Sequence, residues 1–264
     1  MPEASPLDSR RQGLSKVPEV TLLFWIIKIA ATTLGETGGD AVSMSMKLGY
    51  AVGTLIFAVF FVIFAAAQIK STRFHPTLYW ATIIATTTVG TTLADFSTRQ
   101  IGIGYAGGSL LLFALLMLSL FAWHRTLGSI SFRNLQTFKA EMFYWVTIMF
   151  SQTLGTALGD WVADGRTEDP AGLGLGYGGA AMIFGGLLLV VAALYFSTSI
   201  SRTALFWTAF ILTRPLGAVV GDFLDKPHDH GGLALSRYVA SGGLLAFIAV
   251  CIFFFKQRRA EHAH

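Results

Sequence analysis

The sequence has little charge. Lys, Arg, Asp and Glu make up 13% of its 264 residues, whereas a globular domain usually carries about 25%. Hydrophobic residues make up 53%, and several uncharged runs approach the roughly 20 residues that cross a bilayer core. These runs cover 51–68, 107–123, 180–196 and 242–255. A soluble fold would have to bury such helices behind very little polar surface, so we predict an integral membrane protein.

Other scarcities exclude further classes of protein. The single cysteine, Cys251, cannot form an intrachain disulfide and lies in an apolar run, which favours a small buried side chain. There is no phosphate-binding loop, zinc-protease motif or nucleophile elbow, so we predict no enzyme. The formal net charge of +4 fits basic cytoplasmic loops and does not indicate nucleic-acid binding.

The N-terminus is polar, and its first apolar stretch is not followed by a signal-peptidase site. We therefore expect residues 1–19 to be a disordered cytoplasmic leader and the first helix to be retained.

Four segments align without gaps on a Trp that follows another aromatic residue. Each has a Gly ten residues after the Trp and an Asp fifteen residues after it. The segments are WIIKIAATTLGETGGD from Trp25, WATIIATTTVGTTLAD from Trp80, WVTIMFSQTLGTALGD from Trp145 and WTAFILTRPLGAVVGD from Trp207. A second apolar stretch beginning at a Tyr follows each one. The pattern predicts an all-α integral membrane protein with eight transmembrane helices, arranged as four tandem two-helix repeats of the same orientation.

This pattern sets the expected boundaries. Residues 20–256 form a single membrane domain, with repeats at about 20–70, 75–125, 139–198 and 202–256, and 257–264 form a cytoplasmic tail. The helices are expected at about 20–42, 48–69, 78–97, 103–124, 141–162, 173–197, 203–223 and 236–256.

Lys and Arg residues predict the orientation. Twelve lie in the termini and between repeats. Five lie in the loops within repeats, namely Lys47, Arg99, Arg166, Lys226 and Arg237. Because basic residues favour the cytoplasmic side, both termini should be cytoplasmic, and the Asp ends of the first helices should face outside. The Trp residues would then form an aromatic belt at the cytoplasmic interface.

The repeated small residues predict close helix packing, because small residues four apart let helix backbones approach in lipid. The first helices should therefore form the packed interior, through Gly35, Gly39, Gly90, Gly155, Gly159, Gly217 and Gly221. The repeated Asp residues allow two interpretations. They cap a neighbouring helix or they bind a cation.

Four polar residues occur in one repeat only, and buried polar groups in membranes are usually functional. They are Lys28, Glu36, Gln152 and Arg214. Positions 4, 8, 11 and 15 after each Trp share one helix face, and in the first repeat that face carries Thr33, Glu36 and Asp40.

The intramembrane charges are unequal, with five carboxylates and two cations. This surplus of acid predicts a cation path. We expect cation ligands at Glu36, Asp40, Asp95, Asp160, Asp222 and Thr33, and counter-charge or coupling roles for Lys28, Arg214 and Gln152. Oxygen ligands without Cys or His suit Mg, Ca or Mn.

The segment TTLGETGGD and its three counterparts resemble a bacterial family of four tandem membrane repeats of unknown function, in which each repeat has two transmembrane segments and a Trp. The resemblance covers about residues 20–256 and implies a multi-pass protein of the bacterial inner membrane. GETGGD is also similar to the Glu-x-Gly-Asp motif of manganese and calcium exchangers, although it has an additional Gly.

These observations lead us to expect a transporter of a hard divalent cation, with Mn²⁺ favoured, that works as a proton-coupled exporter. It would bind Mn²⁺ without a covalent cofactor, and its partners would be the lipid bilayer and a small ion. One alternative is a transporter of a small organic or anionic solute that binds Lys28 and Arg214. Another is a membrane scaffold or sensor that transports nothing. The sequence leaves the oligomeric state open.

Overall fold

The computed structural model describes residues 16–130, 137–167 and 170–260. The predicted helical class is confirmed, and within this part of the chain the eight long helices end within a few residues of the expected positions. We number them α1 (Leu22–Asp40), α2 (Gly49–Lys70), α3 (Pro76–Asp95), α4 (Gly104–Leu127), α5 (Phe138–Ala163), α6 (Gly176–Ser197), α7 (Arg202–Asp225) and α8 (Arg237–Phe254).

Local sequence signals explain where the first helix of each repeat begins. Thr21, Thr137 and Ser201 precede α1, α5 and α7, and their hydroxyls accept hydrogen bonds from backbone amides in the first turn. Helix α3 instead begins at Pro76, a residue suited to the first helical position because that position needs no amide donor. Five-residue π-helical segments extend α1 and α3 beyond their Asp residues.

Helices α1, α3, α5 and α7 form a closed ring, in which each packs against the next and α7 packs against α1. Successive contacts between neighbouring helices follow the same order along both helices: Gly35 lies beside Thr87 and Gly39 beside Thr91, and likewise Gly217 lies beside Thr32 and Gly221 beside Glu36. The four inner helices therefore run in the same direction. The second helix of each repeat covers the inner helix of the next repeat: α2 packs on α3, α4 on α5, α6 on α7 and α8 on α1.

Five helices in the described part of the chain are long and apolar enough to cross a membrane, namely α2, α4, α6, α7 and α8. The outer helices expose rows of large apolar side chains, such as Leu55 and Val62 on α2 or Leu189 on α6. The inner helices α1, α3 and α5 contain more Thr than the outer helices and are covered by their neighbours. An apolar outer layer around a polar interior indicates a multi-pass membrane protein.

Glycines allow the inner helices to approach closely. The Gly at position 10 after each Trp lies against a side chain of the next inner helix. That side chain is at position 7 after the Trp of its own repeat. A Cβ at Gly155 would lie 2.2 Å from Cγ of Arg214, and one at Gly217 would lie 2.0 Å from Oγ1 of Thr32. Gly35 and Gly90 meet Thr87 and Gln152 in the same way, and Gly39, Gly159 and Gly221 meet Thr91, Ala218 and Glu36 one turn further along.

The expected interfacial Trp belt is wrong for three of its four members. Trp80, Trp145 and Trp207 are 0%, 3% and 4% exposed, and only Trp25 is partly exposed. The reason is that the aromatic residue before each Trp packs on the Trp of the next repeat, so the rings face one another instead of lipid. These contacts close a circle, which we call the aromatic collar: Phe24–Trp80, Tyr79–Trp145, Tyr144–Trp207 and Phe206–Trp25.

The terminal segments meet at the same end of the ring as the collar. Pro18 pairs with Arg259 as an isolated antiparallel bridge, and Gln257 accepts a 2.8 Å hydrogen bond from the indole of Trp80. Lys16 forms an ion pair with Glu141. The expected disordered leader is thus corrected at 16–19, because these backbone groups pair with 258–260. Residues 1–15 of that leader and 261–264 of the expected tail lie outside the described residues.

Candidate functional site

Three layers of side chains lie within the ring, between the collar and the Asp ends of the inner helices. Counted from each Trp, they occupy positions 7, 11 and 15, one helical turn apart. The first layer is Thr32, Thr87, Gln152 and Arg214, the second is Glu36, Thr91, Thr156 and Ala218, and the third is Asp40, Asp95, Asp160 and Asp222. All twelve residues are buried.

Arg214 connects all four repeats. Its guanidinium, which is fully buried, donates to the Glu36 carboxylate at 3.0 and 3.1 Å. It also donates to the hydroxyls of Thr91 and Thr156 at 2.5 Å each. The carbonyls of Thr32 and Thr87 accept longer bonds of 3.4 Å. The guanidinium therefore lies at the centre of the ring, and any path along the ring's axis must pass it.

The carboxylates of the second and third layers converge. Glu36, Asp40 and Asp95 each place an oxygen within 4.8 Å of the others, and Glu36, Asp160 and Asp222 do the same. We call these five residues the axial carboxylate cluster. Glu36 belongs to both groups, and each of the five is at most 3% exposed. The structure thus brings together all five carboxylates that the sequence analysis singled out.

Arg99 and Lys226 pair with the third layer in two separate groups. Arg99 lies 2.9 Å from Asp95, 3.3 Å from Asp160 and 3.0 Å from Asp164. Lys226 lies 2.7 Å from Asp40 and 3.1 Å from Asp222. Burial lowers the pKa of the Lys226 ammonium, but Asp222, Asp40 and Asp225 raise it, and the net result lies well above the usual lysine value. Lys226 therefore remains charged beside these carboxylates.

Arg99 and Lys226 were expected in the loops within repeats, so their pairing with the third layer was not predicted. The sequence does contain a pattern that predicts these pairs. Arg99 and Lys226 both lie four residues after a repeated Asp, a spacing that places two side chains on the same helix face. Continuing the helix by one turn would have placed them next to the Asp residues.

The charge balance needs correction accordingly. Among the described residues, four cations form ion pairs with or beside the cluster, namely Arg99, Arg214, Lys226 and Arg237. Asp164 and Asp225 join the five axial carboxylates through the same ion pairs. Seven carboxylates therefore face four cations, so a surplus of acid remains.

The helix-capping interpretation of the repeated Asp residues is wrong. In the described part of the chain, the residues that precede α2, α4, α6 and α8 provide no side-chain cap, and the repeated Asp residues accept no hydrogen bond from the backbone amides of these helices. The Asp side chains pair with Arg99 and Lys226 instead. These cations lie past the carboxyl ends of helices, where a positive charge is favourable and a lone carboxylate is not.

Thr33 contributes differently from the expectation. Its hydroxyl donates to the carbonyl of Ile29 in its own helix at 3.0 Å, and Thr88 and Thr153 make the equivalent bond. The polar face therefore follows positions 7, 11 and 15, whereas the predicted stripe included positions 8, 11 and 15, so the two differ by one residue at the end nearer the collar. Thr91 and Thr156, rather than Thr33, provide the hydroxyls beside Glu36 and Arg214.

Two further predicted residues lie apart from the cluster's ion pairs. Nζ of Lys28 is fully buried, lies 4.1 Å from the centre of the Phe210 ring, and has no hydrogen-bond partner in the described residues. The side-chain amide of Gln152 is also buried without such a partner. Neither residue ligates or neutralises the carboxylates in this conformation.

The comparisons with known proteins identify the family. A model described as Repeat of Unknown Function (DUF347) matches four times, at residues 23–74, 78–129, 143–201 and 205–260. The chain belongs to this family. Each matched unit starts two residues before a repeat Trp and covers one inner and one outer helix. No curated protein and no solved structure matches the chain.

Proposed function

We propose that this protein is a membrane transporter of a hard divalent cation, with Mn²⁺ favoured, that works as a proton-coupled exporter in the bacterial inner membrane. All eight helices would cross the membrane, with both termini cytoplasmic. One observation supports the proposal above all others: five buried carboxylates converge in the ring, and Glu36 lies in two groups of three with oxygens within 4.8 Å.

The chemistry of the cluster suits such a cation. Carboxylate oxygens are the preferred ligands of Mg²⁺, Ca²⁺ and Mn²⁺, and buried carboxylates without compensation are costly. Oδ1 of Asp40 and Oδ1 of Asp160 are buried without a hydrogen-bond partner in the described part of the chain. These oxygens are directed at no other donor, so they are available to a cation.

Proton coupling follows from the surplus of acid. Carboxylates must be ionised to bind a metal, so metal binding releases protons. With seven carboxylates beside four cations, protons would occupy the surplus groups when the cation is away. A cation and protons would then alternate on the same oxygens, which is the basic requirement of an exchanger.

Barriers on both sides of the cluster fit a transporter. Towards the collar, the Arg214 guanidinium fills the centre of the ring, and the aromatic collar lies beyond it. Towards the Asp end, Arg99 and Lys226 cover the third layer, with side chains 26% and 15% exposed. Transport would require these two barriers to open in turn.

The test is metal tolerance and total cell metal in a deletion strain that carries variants of this protein. Glu36→Gln and Asp40→Asn should abolish Mn²⁺ tolerance and raise cell manganese. Asp229→Asn is the matched control, because Asp229 lies exposed in the loop before α8. Wild-type tolerance in both cluster variants would refute the proposal.

Lys28 favours a second candidate, a transporter of a small anionic solute. Its Nζ is fully buried with no hydrogen-bond partner among residues 16–130, 137–167 and 170–260, and a bound anion would supply an acceptor and favour the charged form of this lysine. Arg214 fits this role less well, because Glu36 already pairs with it. Under this candidate, Lys28→Met abolishes solute uptake while Glu36→Gln leaves solute binding intact.

A further inference from the structure

The Lys226 ammonium lies beside a group of three buried carboxylates. It lies 2.7 Å from Oδ2 of Asp40 and 3.1 Å from Oδ1 of Asp222. Together with Asp225, these residues form a third group of carboxylates whose oxygens lie within 4.8 Å of one another. All three Asp residues are buried. The ammonium partly offsets the negative charge of this group, which a divalent metal ion would offset more fully.

The three carboxylates retain unused binding capacity. Oδ1 of Asp40 and Oδ1 of Asp225 are buried and accept no hydrogen bond from the described residues. Buried carboxylate oxygens normally have a partner. Two unpartnered oxygens beside Lys226 therefore indicate a ligand with more coordination positions than an ammonium provides, such as a divalent metal ion.

Lys226 is placed so that it can leave. It is the first residue after α7, its side chain is 15% exposed, and lysine has a long flexible stem. The ammonium can therefore move into solvent without unwinding the helix. Arg237, on the other side of the group, lies 3.2 Å from Asp225 and 3.7 Å from Asp40, and can retain part of the charge balance.

The equivalent residue in the second repeat is held more firmly. Arg99 also lies nineteen residues after its Trp, but its guanidinium donates to Asp95, Asp160 and Asp164. Asp164 accepts an additional bond from the Tyr105 hydroxyl at 2.5 Å. A guanidinium with several fixed hydrogen bonds is displaced less easily than an ammonium, so the two sides of the ring differ.

We infer that Asp40, Asp222 and Asp225 form an outer cation position, and that the Lys226 ammonium is a tethered competitor which the transported cation must displace. This inference rests on the proposed function, because it adds a second position for the same cation. Asp40 and Asp222 belong both to this position and to the axial carboxylate cluster, and Asp225 belongs to this position alone. A cation can therefore pass between the two positions while carboxylate oxygens continue to coordinate it. When the cation departs, the ammonium returns and blocks rebinding.

The test is equilibrium binding of Mn²⁺ to the purified full-length chain in lipid nanodiscs. Lys226→Gln and Lys226→Met remove the competing charge, so each should tighten Mn²⁺ binding by about tenfold or more. Lys226→Arg should bind Mn²⁺ no more tightly than wild type, because arginine keeps the positive charge at this position and can pair with the same Asp40 and Asp222 carboxylates. Lys70→Gln, an exposed lysine at the end of α2, is the control and should match wild type.

Adding Asp225→Asn to Lys226→Gln should reverse the gain, because it removes a carboxylate of the outer position. Unchanged or weaker Mn²⁺ binding by both neutral Lys226 variants, at wild-type thermal stability, would overturn the inference while leaving the proposed function intact. If wild type itself binds no Mn²⁺ and the neutral variants bind none either, the proposed function and this inference both fail.

Discussion

The guanidinium of Arg214 lies 3.0 Å from the carboxylate of Glu36, and this pair joins the last repeat to the first at the centre of the ring. Both residues occur in only one repeat, so the pair breaks a fourfold pattern that otherwise repeats Trp, Gly and Asp. The side chains are 0% and 3% exposed. An ion pair this deeply buried depends on both partners, because either charge alone would be costly.

Removing one partner of this pair should therefore destabilise the protein more than removing both. Arg214→Gln should lower the free energy of unfolding by about 3–5 kcal/mol, the usual cost of leaving one charge buried without its partner. Thermal unfolding of Arg214→Gln, Glu36→Gln and the double variant in detergent measures the coupling. Strictly additive effects would show that the two charges do not depend on each other.

The glycine contacts predict opposite effects for two otherwise similar substitutions. A Cβ at Gly217 would lie 2.0 Å from Oγ1 of Thr32, whereas a Cβ at Gly243 on α8 meets no atom within 4 Å. Gly217→Ala should lower stability by about 1–3 kcal/mol through overpacking. Gly243→Ala should leave stability unchanged or raise it, since Ala is the better helix former. The melting temperatures of the two variants test this difference in stability, and equal values would contradict the close contact at Gly217.

Mn²⁺ binding should release protons and weaken as the pH falls, because the carboxylate ligands must lose their protons before they bind. Mn²⁺ affinity must fall as the pH falls, because protons and the metal ion compete for the same carboxylate oxygens. Calorimetry in two buffers with different ionisation enthalpies measures the number of protons released. An affinity that is independent of pH, with equal heats in both buffers, would contradict proton coupling at this site.

The proposed orientation predicts which loops are accessible from outside the cell. Cysteines introduced by Ser71→Cys and Thr198→Cys, between repeats, should react with a membrane-impermeant thiol reagent only in inside-out vesicles. Asp229→Cys, within the last repeat, should react in intact cells. The native Cys251 is buried, and Cys251→Ala provides a clean background. Reaction of all three positions from the same side would contradict the alternating topology.

The sequence predicted the helices well because their signals are local. A Trp, a Gly and an Asp in a constant register mark each inner helix, and long apolar runs mark each outer one. Convergence of Asp40, Asp95, Asp160 and Asp222 also followed from the repeat, because equivalent positions of parallel helices in a closed ring lie at the same height. The separate contribution of Glu36 was visible as the only acid at its position in the four copies.

The contacts between repeats were harder to predict, because they depend on which helix lies beside which. Trp80 was assigned to a lipid interface, although it packs on Phe24 of the preceding repeat. Arg99 and Lys226 were assigned to loops, although their side chains fold back onto the Asp layer. The spacing of residues along one helix does not show which helix packs beside it. The collar and the two ion-pair groups could therefore be identified only from the structure.

The most direct test of cation transport through the carboxylate cluster is Mn²⁺ flux into proteoliposomes that contain the purified protein under an imposed pH gradient. Glu36 is the decisive residue, because it belongs to both groups of axial carboxylates and pairs with Arg214. We expect flux with wild type and with Asp229→Asn, and none with Glu36→Gln. Equal flux with Glu36→Gln, or no Mn²⁺ flux with folded wild-type protein, would contradict the assignment.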